Sequence, residues 1–158
     1  MSVQYLADSI PLIMRQELEA FSKNAFAWFL NELADAPFCH VESTGRAKGK
    51  WVYVRDGRPF RLSTEPGIYV VYPKNELNPV YVGEGGNLRQ RVEYHFSESE
   101  SAKKSSTLKK ALRKKGYSSH VATHEIVRFK HVIVPFGRKE IEELLHAKYE
   151  INTKDKGC

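Results

Sequence analysis

Cysteine is almost absent from this chain, with Cys39 and Cys158 the only two. A pair so placed excludes a disulfide framework and reads as free thiols in a reducing compartment. Long apolar runs are missing too. No stretch approaches the roughly 20 residues of a membrane-spanning helix, and there is no basic-then-apolar leader at the N-terminus. These two absences set the expectation of a cytoplasmic protein with no membrane partner. There is no internal repeat and no clean linker. No Gly-Lys-Ser/Thr follows a glycine loop, so a P-loop is excluded. Gly83-Glu84-Gly85-Gly86 follows a strand pattern, but Leu88 stands at the third glycine position and no βαβ pattern follows, which removes a dinucleotide fingerprint. His120, His124 and His131, even with both cysteines, lack the paired spacing of a zinc site.

What is present suits one domain, or a compact domain with an elaborated N-terminal region. The chain has 158 residues, of which 41% are apolar and 28% charged, enough for a core and ordinary for a globular protein. Net charge is +6 and the isoelectric point is about 9.3, a modest bias toward polyanions such as nucleic acid.

The most informative stretch is 67–96, GIYVVYPKNELNPVYVGEGGNLRQRVEYHF. Two runs rich in valine and tyrosine, 67–72 and 80–83, flank the turn-prone 73–79 and predict an antiparallel hairpin. Asn87 is a good helix N-cap with Gln90 at the capping-box position. Leu88, Val92 and Phe96 follow as an apolar stripe, and Arg91 and His95, also four apart, stack on a neighbouring face.

Before this stretch, 9–34 carries a helical period with Ser9 as cap, Pro11 in the first turn and Asp35-Ala36-Pro37 as the stop. Ser22-Lys23-Asn24 leaves open one bent helix or two. The segment serves either as a packing layer or as a dimer or specificity element. Residues 41–50 read as a loop. Asp56-Gly57 predicts a hairpin between 51–54 and 60–62, with Pro59 demoting the second arm to an edge strand. After 96, a serine-rich loop over 97–106 precedes a short helix over 108–115 with Thr107 as cap and Gly116 as terminator. Lys103, Lys104, Lys109, Lys110, Arg113, Lys114 and Lys115 are unbroken by any acidic residue. Such a run is either a solvated helix face or a phosphate-contacting surface. Residues 126–134 predict a strand ended by Pro135-Phe136-Gly137. A last helix over 139–151 has Ile141, Leu144, Leu145 and Tyr149 inward.

Gly67-Ile68-Tyr69, Tyr81-Val82-Gly83, Arg91, His95 and the block around Glu142 occur in an order that resembles the GIY-YIG endonuclease family, over residues 66–154. The resemblance implies an α+β fold, a small antiparallel β-sheet flanked by helices, with residues 66–158 as the nuclease domain and 1–65 as a helical and hairpin extension. It implies a metal-dependent endonuclease hydrolysing phosphodiester bonds in DNA. Tyr69 is then the base, Tyr81 and Arg91 hold water and phosphate, His95 assists, and Glu142 binds Mg2+ or Mn2+.

The residue types fit that chemistry. A phosphodiester needs an aligned water, help with its proton and stabilised phosphate charge. One carboxylate plus waters and substrate phosphate suffices for magnesium, and arginine offers a forked donor set for phosphate oxygens. Tyrosine, with a free pKa of about 10, becomes a base only beside cations. Read without the family, Glu142 is equally an acidic first-turn residue alongside Glu140 and Glu143. Arg89 competes with Arg91, and the two tyrosines read as strand packing. The family's asparagine after the last helix has only the shifted Asn152 as a counterpart. A non-catalytic nucleic-acid-binding module on the same fold is the rival reading. Cutting both strands with one site requires a homodimer or sequential nicking.

Overall fold

A computed structural model of the chain describes residues 12–43, 51–97, 107–118 and 121–151. Ser9, Pro11, Lys103, Lys104, His120, Asn152 and Cys158 therefore lie outside the described residues, as does most of the expected serine-rich loop.

The first helix, α1 (Leu12–Asp35), runs without a break through Ser22-Lys23-Asn24, so one helix replaces the alternative of two. Phe29 and Leu33 are its buried contacts with the sheet, and Phe26 and Leu30 pack beside them. It ends where Pro37 removes the next backbone donor.

Six strands follow: β1 (Cys39–Ser43), β2 (Trp51–Arg55), β3 (Arg58–Phe60), β4 (Gly67–Pro73), β5 (Tyr81–Gly85) and β6 (Val127–Ile133). Between the last two lie helices α2 (Leu88–Ser97), α3 (Thr107–Lys114) and α4 (Thr123–Ile126), and α5 (Arg138–Lys148) closes the described chain. The protein is α+β, with five helices among the described residues around a six-stranded sheet ordered β3-β2-β1-β6-β4-β5, antiparallel throughout. The sheet is larger than expected because the segment before Gly67 joins it, through Cys39 opposite Phe129. No helix among the described residues is long and apolar enough to cross a membrane.

Three local readings change. Val41–Ser43 is strand rather than loop: Val41 is buried in the core and pairs with Tyr53. The short α4, unannounced by any apolar period, precedes β6. Leu144 is 40% exposed rather than inward, because Ile141, Leu145 and His146 form the buried face of α5. The edge position of β3, which carries Pro59, is as expected.

The core has two layers, one on each side of the sheet. Strand β4 is buried over all seven residues. Alternation sends Tyr69 and Val71 to one face and Ile68, Val70 and Tyr72 to the other. Helices α2 and α3 cover the first face through Leu88, Val92, Leu108 and Leu112. Helices α1 and α5 cover the second through Phe29, Leu33, Ile141 and Leu145.

Candidate active site

The hairpin register decides whether the two tyrosines meet. Tyr69 lies opposite Gly83, and Tyr81 lies opposite Val71. Residues directly opposite share a face, so both phenols point the same way, with ring centroids 6.0 Å apart. A Cβ at Gly83 would overlap the Tyr69 ring and hydroxyl. Glycine there is thus a cradle that lets a tyrosine lie flat across the neighbouring strand. Gly85 does similar work for the helix: a Cβ would sit 3.1 Å from Arg91 Cβ, so its absence lets the first turn of α2 close onto β5.

Asn87 caps α2 as the sequence predicts, its Oδ1 accepting from the Gln90 backbone N–H at 3.0 Å. Leu88, Val92 and Phe96 face the core, which turns Arg91 and His95 toward the phenols. The competitor Arg89 is occupied elsewhere, donating from Nε to the Leu62 carbonyl at 2.8 Å. His95 is 2% exposed and its Nε2 lies 2.7 Å from Tyr69 Oη. The His95 ring also meets Tyr81 edge-on, with centroids 5.0 Å apart.

Burial, and then the charge of Arg91, push the His95 pKa down to about 4, so the ring is neutral near pH 7. Its Nδ1 is buried with no partner among the described residues. An orphaned buried N–H costs more than an orphaned acceptor, which places the proton on Nε2 and makes His95 the donor to Tyr69 Oη. Burial pushes Tyr69 well above its ordinary range; the charge of the neighbouring Tyr81 raises it further, while Arg91 opposes. Tyr81 is also raised by burial, but the hydrogen bond from Tyr69 and the Arg91 guanidinium both pull it down. His95, Tyr69, Tyr81 and Arg91 thus form one contiguous polar group, each acting on the next. Negative charge is best accommodated on Tyr81.

Helix α5 packs against the edge strand β5, with Ile141 and Leu145 on the other face of the sheet. His146, buried, donates from Nε2 to the Val82 carbonyl at 3.3 Å and ties the helix to that edge. The entry to α5 is fixed by Arg138, which donates to Glu84 at 3.1 Å and to the Pro135 carbonyl at 3.0 Å. Half-buried Glu142 follows Ile141, and its carboxylate charge raises both Tyr69 and Tyr81. Glu143 is exposed, and Glu140 sits beside Gly137 at the helix start. Of the three acidic residues, Glu142 alone is a source of charge felt by both phenols. Tyr69, Tyr81, Arg91 and His95 are thus brought together, and the Glu142 charge acts on both phenols.

Among the described residues no three His, Cys, Asp or Glu side chains form a metal-holding group. A single half-buried carboxylate still fits a magnesium ion, which keeps most of its waters and takes substrate phosphate as a ligand. The basic residues lie along α3: Leu108 and Leu112 seat it on the core, leaving Lys110, Arg113, Lys114 and Lys115 exposed and Lys109 partly so. Lys115 is not wholly available, since it pairs with Glu76 at 3.2 Å.

No family model, curated protein or solved structure matches this chain. Two participants escaped the sequence reading: Gly83 as the cradle, and His146 as the tie between α5 and β5. The first was legible only as part of a motif, and the second required knowing that α5 meets an edge strand.

Proposed function

We propose that this chain is a GIY-YIG-type, metal-dependent endonuclease that hydrolyses phosphodiester bonds in DNA. What carries the reading is the convergence of two phenols, a neutral histidine, an arginine and the charge of Glu142 at one end of the sheet, beside a basic helix. Glu142 would hold Mg2+ or Mn2+, which when bound polarises the phosphate and favours departure of the alkoxide. Arg91 binds the non-bridging phosphate oxygens and keeps their charge in register with the hairpin. Tyr81, as phenolate, accepts the proton of the attacking water; the water oxygen bonds to phosphorus and the leaving oxygen is protonated from solvent. Tyr69 steadies that phenolate by donating to it, and His95 holds Tyr69 in the orientation that allows this. The base role given to Tyr69 by the family resemblance passes, in this proposal, to Tyr81, the phenol whose pKa the Arg91 guanidinium holds down.

Nicking of supercoiled plasmid in Mg2+ tests the reading. Wild type should cut, while Glu142→Ala, Arg91→Ala and Tyr81→Phe should bind DNA normally and cut about 10²–10³-fold more slowly, the range for losing one transition-state contact. Tyr69→Phe should lose less. Equal cutting by Glu142→Ala removes the metal assignment, and salt-sensitive binding without any cutting by wild type leaves the non-catalytic module as the account.

A further inference from the structure

Beyond the phenol cluster, a cleft of about 440 Å³ runs between α3 and the C-terminal end of α5, with Tyr81 and His146 at one side of it. Tyr81 belongs both to the cleft lining and to the site proposed to hold the scissile phosphate, so the two adjoin. Its lining is of two kinds. Val80, Ala111 and Tyr149 supply apolar and aromatic surface, whereas Lys110, Lys114 and Lys148 supply ammonium groups from two different helices. With Lys115, four cations face one carboxylate, that of Glu150.

That combination fits a chain of alternating anionic and flat apolar groups. Stacking surface plus a cationic rim is how unpaired strands are held without reading their sequence. The volume lies within the roughly 300–1,000 Å³ of small-molecule pockets, whereas the major groove of a duplex is by itself about 12 Å wide. We infer that the cleft seats one or two unpaired nucleotides next to the scissile phosphate, so the substrate is DNA carrying a single-stranded segment rather than a continuous duplex. This rests on the nuclease reading for the position of the phosphate, but not for the cleft's preference.

Binding without metal separates the two. Fluorescence anisotropy with labelled dT10, a blunt 20-base-pair duplex and the same duplex with a five-nucleotide overhang should rank the overhang and dT10 at least tenfold tighter than the blunt duplex. Lys110→Gln with Lys148→Gln should erase that preference. It should also reduce the salt slope for dT10 by about 1.4, at roughly 0.7 per phosphate contact on single strands. Arg58→Gln, on the opposite sheet edge, should change neither. If the ranking holds and no DNA is cut, the cleft stands and the nuclease reading falls. The cleft proposal is overturned if the blunt duplex binds as tightly as dT10, if the double variant keeps the preference, or if dTMP alone competes as well as dT10.

Discussion

The two faces of the central sheet are built from the same strands, yet they differ in kind. The face under α1 and α5 is closed by Ile68, Val70, Val82, Val132 and Val134 against Phe29, Leu33, Ile141 and Leu145. The face under α2 and α3 carries Tyr69, Tyr81 and His95, and His131 lies opposite Tyr69 in the register. Both imidazoles have pKa values pushed down to about 4, by burial first, with Arg91 acting on His95 and Arg55 on His131. One face contributes mainly hydrophobic stability, and its phenol Tyr72 is held neutral by burial up to about pH 12. The other contributes stability that depends on keeping titratable rings neutral. Alternation along one strand divides cohesion from chemistry.

The largest expected effect lies on the apolar face. Leu145 is fully buried, so Leu145→Ala should cost about 2–5 kcal/mol, read from urea unfolding. Its dependence on pH should match wild type. A changed dependence would mean that the faces are not separable.

Acid unfolding comes next. An unfolded histidine titrates near 6.5, whereas His95 in the folded chain titrates at about 4. As pH falls from 6.5 to 4, the unfolded chain takes up a proton that the folded chain refuses. Stability is thus full above pH 6.5 and declines across that window, by up to on the order of 3 kcal/mol for His95, and His131 acts in the same direction. Urea midpoints at pH 7, 5.5 and 4.5 should show the decline, and His95→Gln should lessen it, leaving the His131 share. A wild-type curve already flat over that range would remove the account of the neutral ring.

Gly83→Ala forces a methyl into the Tyr69 ring, an overpacking cost of about 1–3 kcal/mol, and should depress nicking by displacing the phenol pair. Gly86→Ala is the control, since a Cβ there meets nothing within 4 Å, and should stay within about 0.5 kcal/mol. Similar melting temperatures for the two variants would dismiss the cradle. Asn87→Ala should cost the least, about 1 kcal/mol for a lost N-cap, with α2 still in place.

Local chemistry was the legible part. The hairpin ends, the Asn87 cap, the Gly116 terminator with its φ of 95° and the Pro59 edge strand each rest on a few neighbouring residues, and each was readable as such. Long-range register was not. Nothing in Cys39-His40-Val41-Glu42-Ser43 announces a strand; its partners are β2, across the 44–50 segment, and for Cys39 also Phe129, 90 residues on. The site residues followed from the resemblance to a known family, and whether the two tyrosines share a face depended on a register that only coordinates supply. Which phenol accepts hydrogen bonds, and that Arg89 is held by Leu62, depend on hydrogen-bond direction, which no motif encodes.

The two rims of the sheet carry a consequence for self-association. On one side β3 offers only three residues, one of them a proline without an N–H, and on the other α5 lies along β5 with His146 already on the Val82 carbonyl. Among the described residues both rims are thus blunted against pairing with a strand from another copy. Should two copies come together to cut both strands of a duplex, helices or loops must supply the contact.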